Sequence, residues 1–487
     1  MFEPKNKLIK FDLMSSCLVI RFRKKYLYTL NASIFCFRNF LILCSSTLLA
    51  MHLSSLYALT LSNAVQYAVN NIPDIKIKQA QHGASSETIK QARSSFLPSV
   101  DIGGGYGREY AKNPVATTVD GDQPGTLTRG EFGIDLKENI FDGFSTENEV
   151  KRTKNETLAA KYEILGESNN LSLNITEQYL NVLLQEKLYQ LAKQNVVAHK
   201  NIANMINERK QAGLSRESEI TQAQSRIALA ESNLISQQSL LDDARAKFER
   251  LVKLQPNQLV MPSIPHAPNI PRNLSAALSK AYVMHPILKS AQADIKAAVA
   301  QYDESKFTDY PKIDLVVESD RNRNIDGVEG PNDNNIVMLR ATYNIFKGGE
   351  YFAKQRETAY AVVESREIKN RTILQIKEAV NLAWIAMTSQ DQRKRKLYAY
   401  KINAVKTLHA YEEEFKLNKR SLLDVLDSQN EVFQSSLEFQ TAKYDEIFAR
   451  YRLLNTMGML NQFLHVNVSV ATQDNQAMHA LVQEDSF

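Results

Sequence analysis

The residues of this chain that could carry chemistry are its histidines, one glycine-rich run and its paired carboxylates. The eight histidines are scattered and form no His-Glu-x-x-His pair, and residues 59–487 contain no cysteine that could complete a metal site. The run Gly103–Gly107 lacks the Gly-Lys-Ser/Thr sequence that holds a phosphate group. The pair Asp242 and Asp243 lies in a heptad helix and is expected to be solvated. We therefore predict that the chain is not an enzyme and binds no metal or cofactor.

A second acidic pair, Asp424 and Asp427, follows a predicted turn at Asn418–Arg420. Both residues fall at the start of a predicted helix, where the helix dipole favours negative charge. Taken alone, the pair indicates a solvated helix face. A further role for this pair depends on where the surrounding helices and turns place it.

The chain is an imperfect duplication. Asn139–Phe144 (Asn-Ile-Phe-Asp-Gly-Phe) returns 205 residues later as Asn344–Gly349 (Asn-Ile-Phe-Lys-Gly-Gly). The same offset pairs Gly213 with Asn418, Glu219 with Asp424, Ile220 with Val425 and Gln224 with Gln429. Upstream the offset is 213, and the additional residues fall in a predicted surface loop, Arg108–Gly130, rich in Gly, Thr, Asp and Pro. Such a repeat raises the question of what the copies build together.

Each copy contains a long helical tract. Ser145–Ala212 and Glu350–Leu417 contain no proline, and each would reach roughly 100 Å as a helix. Each ends in a short turn before a second helix, whose apolar residues recur at spacings of three and four from Ile220 and from Val425. That spacing is typical of a coiled-coil seam, although an ordinary helical bundle fits it equally well. We predict one long helical hairpin in each half.

Between the helices the apolar period changes to two. Phe132, Ile134 and Leu136 alternate with polar residues or glycine, and the same alternation runs from Val337 to Ile345. We predict four strands of about ten residues, the length of a tilted membrane-spanning strand. Alternation also fits a half-buried soluble sheet. Four strands cannot close a barrel, and open edges cannot lie in lipid, so either the sheet is soluble or several chains share one barrel.

The predicted elements divide the chain into a leader, two repeats, a linker and a tail. Five prolines between Pro256 and Pro271 prevent a continuous helix in the linker. We predict a signal peptide at 1–58, the linker at 254–273 and a polar, loosely ordered C-terminal tail at 461–487. The first repeat, 59–253, is predicted to have strands at about 97–107 and 131–141 and helices at 145–212 and 216–253. The second repeat, 274–460, is predicted to have strands at about 311–319 and 336–346 and helices at 350–417 and 421–460.

The first 58 residues differ in composition from the rest. They hold all three cysteines and eight Lys or Arg against two acidic residues, whereas the remainder carries a net charge of −1. Basic residues followed by the apolar stretch Phe40–Leu56 are typical of a secretory signal peptide, with cleavage expected after Ala58. A retained membrane helix is the alternative. The nearly neutral remainder lacks the basic footprint of a nucleic-acid-binding protein, so we predict no nucleic-acid partner.

This order of elements resembles the TolC-like outer-membrane channel family over residues 59 to about 464. The most specific match is Phe415–Asp427, which resembles the tip turn of the type I secretion branch, with Asn418 where glycine is usual. Asparagine tolerates the left-handed conformation that such a turn needs. The resemblance implies an α+β membrane protein with two internal repeats. It would be a homotrimer whose twelve strands, four per chain, form one β-barrel that continues into a long periplasmic α-helical barrel.

The resemblance also assigns candidate site residues. Asp424 and Asp427 occupy the positions of two acidic rings that narrow the periplasmic entrance, and such rings favour cations. Arg420 and Glu219 stand where the family has a gate-closing ion pair. Phe415 stands where an efflux member has a gate tyrosine, so the hydroxyl is missing here. The other implied residues are the tips that would dock with an adaptor, Gly213, Leu214, Ser215, Asn418, Lys419, Arg420 and Ser421, and the strand–helix junctions, Gly143 and Gly348.

The function that this resemblance implies is a passive exit duct of a type I protein secretion system. The duct would lie in the outer membrane, contact its lipid and extend into the periplasm. The implied partners are a periplasmic adaptor (membrane fusion protein) and an inner-membrane ABC transporter, which would supply the energy. Two alternatives remain at this point: the outer-membrane component of a multidrug efflux pump, and a soluble coiled-coil scaffold or adaptor.

Overall fold

The computed structural model of the chain describes residues 58–112, 125–307 and 310–470. Every element described here belongs to one compact unit, which begins at Leu59. Except for Ala58, the predicted signal peptide lies outside the described residues. The elements in chain order are α1 Leu61–Asn71, α2 Pro73–Ser94, β1 Ser99–Ala111, β2 Gly125–Phe141, α3 Ser145–Gln211, α4 Glu217–Val252, α5 Leu274–Met284, α6 Pro286–Phe307, β3 Lys312–Arg323, β4 Pro331–Thr342, α7 Glu350–Lys416, α8 Leu422–Thr456 and α9 Leu460–Phe463.

The shorter helices begin where local chemistry satisfies or removes free main-chain N–H groups. Thr60 and Asn273 precede α1 and α5, and their side chains accept hydrogen bonds from the main-chain N–H groups of Asn63 (3.3 Å) and Ala276 (2.8 Å). Helix α2 begins at Pro73, where the missing N–H would have had no helical partner. These starts are therefore encoded locally.

Helices α3 and α7 are each 67 residues long, which corresponds to roughly 100 Å. Helix α3 reverses into α4 and forms the first hairpin, and α7 reverses into α8 and forms the second hairpin. The two hairpins are direct neighbours, because α3 packs against α8, and α6 packs against both α3 and α7. Among the described helices, none is long and apolar enough to cross a membrane.

The four strands form one antiparallel sheet in the order β1-β2-β3-β4. Val100 lies opposite Leu136, and Val317 lies opposite Val337, so alternating apolar residues of neighbouring strands share a face. The β2–β3 pairing joins the two repeats into one sheet. Within the described ranges, β1 and β4 each have one edge without a strand partner.

Strand β2 is longer than predicted. It begins at Gly125 instead of about residue 131, because β1 continues through Ala111 and pairs with it over that extra length. The loop predicted at Arg108–Gly130 is correspondingly shorter, and its centre lies outside the described residues.

Strand β4 lies earlier in the chain than the predicted 336–346. It pairs along its whole length with β3 and ends at Thr342, opposite Lys312, where β3 begins. Beyond that point the side chain of Asn344 accepts a 3.1 Å hydrogen bond from the N–H of Phe346. This local turn takes the chain out of the strand although the apolar alternation continues.

A shared core joins the two repeats. Tyr179 of α3, Phe248 of α4 and Tyr451 of α8 are fully buried in it. The two tyrosine hydroxyls also contact the proline-rich linker. That of Tyr179 lies 2.6 Å from the carbonyl oxygen of Val260, and that of Tyr451 donates a 2.5 Å hydrogen bond to the carbonyl oxygen of Ser263. The linker is therefore hydrogen-bonded to one helix of each hairpin.

Residues 461–470, the described part of the predicted tail, are packed, so the expectation of a loose tail was wrong for this segment. Leu464 and Val466 are buried. The side-chain amide of Gln66 in α1 accepts a hydrogen bond from the N–H of Asn467 at 2.8 Å and donates one to its carbonyl oxygen at 2.9 Å. The segment carries Phe463, Leu464, Val466, Val468 and Val470, so its description as polar did not fit the sequence of these ten residues. Residues 471–487 lie outside the described part of the chain.

Candidate functional site

The two hairpin ends have the same backbone geometry. In the first, the N–H of Gly213 donates to the carbonyl oxygen of Lys210 (2.9 Å), and the N–H of Leu214 donates to that of Arg209 (2.8 Å). In the second hairpin, the N–H of Asn418 donates to the carbonyl oxygen of Phe415, and the N–H of Lys419 donates to that of Glu414, both at 2.9 Å. Asn418 thus takes the place of Gly213. Gly213 has a φ of +77° and Asn418 a φ of +58°. Asn418 therefore adopts the left-handed conformation that ends a helix.

The return helices α4 and α8 also begin alike. A carboxylate oxygen of Glu219 accepts hydrogen bonds from the N–H of Arg216 (3.2 Å) and the hydroxyl of Ser215 (2.7 Å). In the second hairpin, a carboxylate oxygen of Asp424 accepts from the N–H (3.3 Å) and hydroxyl (2.8 Å) of Ser421. Glu219 and Asp424, which the repeat pairs, thus both cap a helix start. For Asp424 this structural role exists beside any functional one.

Arg420 contacts its own hairpin. Its guanidinium lies 2.8 Å from a carboxylate oxygen of Glu414 and 3.9 Å from one of Asp424, and its Cζ lies 4.1 Å from the ring centre of Tyr411. The hydrogen bond that the Arg420 guanidinium donates to Glu414 raises the pKa of Arg420. In the described chain Arg420 does not pair with Glu219. The structure therefore does not bring together the two residues expected to form the gate-closing ion pair.

Phe415 lies where the two hairpins meet. It is buried, with 3% of its surface exposed. It belongs to an apolar cluster formed by residues of both hairpins: Ile202, Ile206, Ala223, Phe415, Leu422, Val425 and Leu426. Without a hydroxyl, this side chain joins the hairpins by apolar packing.

Arg209 and Arg226 bridge the hairpins, and the sequence did not single out either residue. Arg209 donates to the carbonyl oxygen of Phe415 (3.0 Å) and to the side-chain oxygen of Asn418 (2.9 Å). Arg226 lies 2.8 Å from a carboxylate oxygen of Asp427. Nothing local identified Arg209.

The outer surface of the turns is accessible. Gly213, Leu214, Asn418, Lys419 and Ser421 are exposed, and Ser215 and Arg420 are half-buried. Leu214 has 67% of its surface exposed and the neighbouring Leu417 has 66%. Two exposed leucines on otherwise polar turns form a small surface that a partner could cover.

The two strand–helix junctions differ in their packing. Gly143 and Gly348 have φ values of +68° and +60°, a region that glycine enters at little cost. A Cβ at Gly143 would lie 2.5 Å from the carbonyl oxygen of Phe307 and 2.9 Å from the Cβ of Tyr310, whereas one at Gly348 would meet no atom within 4 Å. The first junction therefore needs glycine for space as well as for conformation.

Elsewhere in the described chain there is no group of three or more His, Cys, Asp or Glu residues placed to hold a metal ion. The polar groups at the hairpin ends cap helices or form ion pairs. Such an arrangement can attract ions and hold helices together.

Comparison with known proteins gives concordant results. The profile of the family Outer membrane efflux protein matches residues 64–252 and 277–459, one copy of the repeat each. The outer membrane efflux protein BepC of Brucella suis is 23% identical over 82% of this chain and 86% of its own length. The alkaline protease secretion protein AprF of Pseudomonas aeruginosa is 20% identical over 81% of this chain and 83% of its own length.

Among solved structures, the CmeC outer membrane channel of Campylobacter jejuni superimposes with a TM-score of 0.69 at 14% identity. The match covers 87% of this chain and 89% of CmeC. At this identity the likeness concerns the fold. It confirms the predicted TolC-like architecture, with two repeated halves that together supply four antiparallel strands and two long hairpins.

Proposed function

Because this chain belongs to the outer membrane efflux protein family, we propose that it is the passive exit duct of a type I protein secretion system. The family places the protein in the outer membrane, with its helices extending into the periplasm. Membership of this family excludes the alternative of a soluble coiled-coil scaffold or adaptor. The proposal concerns the finer role, which is secretion of protein as opposed to efflux of small molecules.

The observation that carries the proposal is the second hairpin end. Its sequence from Phe415 to Asp427 resembles the tip turn of the type I secretion branch. Asn418, the one departure at the turn, adopts the left-handed conformation of the glycine that it replaces. AprF is similar to this chain over most of both sequences and is named as an alkaline protease secretion protein. This name supports the type I secretion branch.

The sheet supports a homotrimer. Residues 100, 102 and 106 of β1 and 337 and 339 of β4 expose apolar side chains, while each of these strands has a free edge within the described chain. A free edge in lipid would leave main-chain N–H and C=O groups without partners, at a cost of several kcal/mol each. Three copies joined edge to edge, β4 of one to β1 of the next, would close a barrel of twelve strands.

The hairpin ends would form the periplasmic entrance of this duct. In a trimer, the acidic residues at the start of α8 would be repeated around one opening, where they would favour cations. The exposed turns around Leu214 and Lys419 would contact the periplasmic adaptor. An inner-membrane ABC transporter would supply the energy for transport.

Deleting the gene and restoring it on a plasmid tests this proposal. Loss of one or more large secreted proteins from the medium, with unchanged drug sensitivity, is the expected result. The alternative of a multidrug efflux duct is favoured by the name of BepC, an efflux protein. It predicts the opposite pattern, in which drug sensitivity increases and secretion is unchanged.

A further inference from the structure

The two offsets of the repeat, 213 upstream and 205 downstream, also relate contacts in the fold. Ser99 lies opposite Lys137 between β1 and β2, and their counterparts Lys312 and Thr342 lie opposite each other between β3 and β4. In the same way, α2 packs against α3 as α6 packs against α7. A contact made by one repeat therefore predicts the residues that meet in the other.

The contact between α3 and α6 joins the two repeats. Four helices pack side by side in the order α2, α3, α6 and α7, so the repeat counterpart of this contact would join α7 to an α2. In the contact, Ile287 of α6 comes so near Gly166 of α3 that a Cβ on Gly166 would lie 2.3 Å from the Cδ1 of Ile287. Close by, the Nζ of Lys289 lies 5.9 Å from the ring centre of Tyr162.

The counterpart residues on α7 and α2 are charged and opposite in sign. The offsets carry the first contact to Arg371 and Asp74, and the second contact to Glu367 and Lys76. All four residues are exposed, and none of them forms an ion pair within the part of the chain that the structure describes. Two uncovered helix sides of one chain therefore carry complementary charges.

We propose that α2 of one chain packs against the exposed side of α7 in the next chain, with two ion pairs across the contact. Arg371 pairs with Asp74, and Glu367 pairs with Lys76. The partner is a second copy of this chain, and the inference rests on the proposed homotrimer, in which each pair occurs three times. Arg371 lies 45 residues before Lys416, the end of α7, which is roughly 70 Å along the helix. The contact is therefore remote from the hairpin turns.

The sheet leads to the same neighbour. The offsets carry the β2–β3 pairing, in which Ile134 lies opposite Ser319, to Leu339 of β4 and Tyr106 of β1. Leu339 and Tyr106 have 68% and 88% of their surface exposed in the single chain. Placed opposite each other between two chains, they would lie together on the apolar face of the barrel. Strands and helices thus indicate one arrangement, in which the β4–α7 side of each chain meets the β1–α2 side of the next.

The order of the charges makes the helix contact specific for one register. A displacement by one helical turn of α2 would bring Lys78 toward Arg371 and leave Glu367 opposite Ala80. One ion pair would then be lost and the other replaced by like charges, which disfavours the wrong register.

A charge swap in the purified full-length protein tests the contact. R371D and D74R each set like charges against each other in all three contacts. Each should lower the ratio of trimer to monomer about tenfold at the temperature where half of the wild type has dissociated, and R371D combined with D74R should restore the wild-type ratio. R366D is the matched control and should change nothing, because Arg366 is exposed and lies about 140° around the helix from Arg371. Size-exclusion chromatography with light scattering in mild detergent measures the ratio.

A disulfide tests the position of the two helices independently of charge. Residues 59–487 contain no cysteine, so D74C with R371C should link neighbouring chains on oxidation, whereas D74C with R366C should not. Equal effects of R371D and R366D, no rescue by the charge swap, or no link between D74C and R371C in a wild-type-like trimer would overturn the contact and leave the proposed duct standing. A wild type that is monomeric before heating would overturn the homotrimer, and the proposed duct with it.

Discussion

The guanidinium of Arg209, at the end of the first hairpin, donates a 3.0 Å hydrogen bond to the main-chain carbonyl oxygen of Phe415 in the second. Its Cζ also lies 4.6 Å from the centre of the Phe415 ring. The last carbonyl groups of a helix lack helical partners and attract cations. Arg209 of α3 therefore caps the end of α7 and joins the two hairpin ends.

Replacing Arg209 should loosen the second turn. In R209Q, we expect the amides of residues 417–419 to exchange hydrogen about tenfold faster, since a charge-assisted hydrogen bond contributes roughly 1.5 kcal/mol. Hydrogen–deuterium exchange with mass spectrometry measures this change. K193Q, an exposed charge removal on the same helix, is the control. Equal exchange rates in R209Q and the wild type would refute the capping role.

The two junction glycines should respond differently to alanine. G348A should lower the free energy of unfolding by about 1 kcal/mol, because alanine is disfavoured in the left-handed conformation. G143A adds a collision with the main chain at Phe307, so we expect it to cost about 2–4 kcal/mol. Thermal unfolding of the purified variants in detergent gives both values. Equal losses would mean that the close approach at Gly143 relaxes freely.

His285 should make the stability depend on pH. It lies at the junction of α5 and α6, burial lowers its pKa to about 4, and its Nδ1 has no hydrogen-bond partner in the described chain. Because this value is below the unfolded pKa of about 6.5, the unfolded state binds the proton first. Stability is therefore complete above pH 6.5 and falls as the pH is lowered toward 4, by about 2–3 kcal/mol from this residue.

Melting temperatures of wild type and H285Q between pH 7 and pH 4 test this linkage. H285Q should lose part of the pH dependence, whereas H409Q, at an exposed position, should keep all of it. If H285Q and the wild type lose stability in parallel, His285 does not contribute to the pH dependence.

Features that depend on local chemistry were predictable from the sequence. The repeat and its periods indicated both hairpins and the four-stranded sheet, and Asn418 was expected to replace glycine in a left-handed turn. Gly143 and Gly348 were singled out because both copies of the repeat carry them, and both have a positive φ. In the turns, residues close in sequence determine the conformation.

Features that depend on long-range contacts were not predictable. Strand ends follow the neighbouring strand, so β4 ends at Thr342 although the apolar alternation continues past it. Arg209 and Arg226 find partners more than 200 residues away, and no spacing in a single sequence reveals such a contact.

In the proposed trimer, the hairpin ends form the entrance of an ion-conducting duct, and Asp424 supplies its charged ring. Single-channel recording of the purified protein in planar lipid bilayers, with and without D424N, tests it most directly. The wild type should form cation-preferring channels, and D424N should lower that preference and change the conductance, because asparagine removes the ring charge while it can still cap the helix. Unchanged conductance and selectivity in D424N would contradict the account.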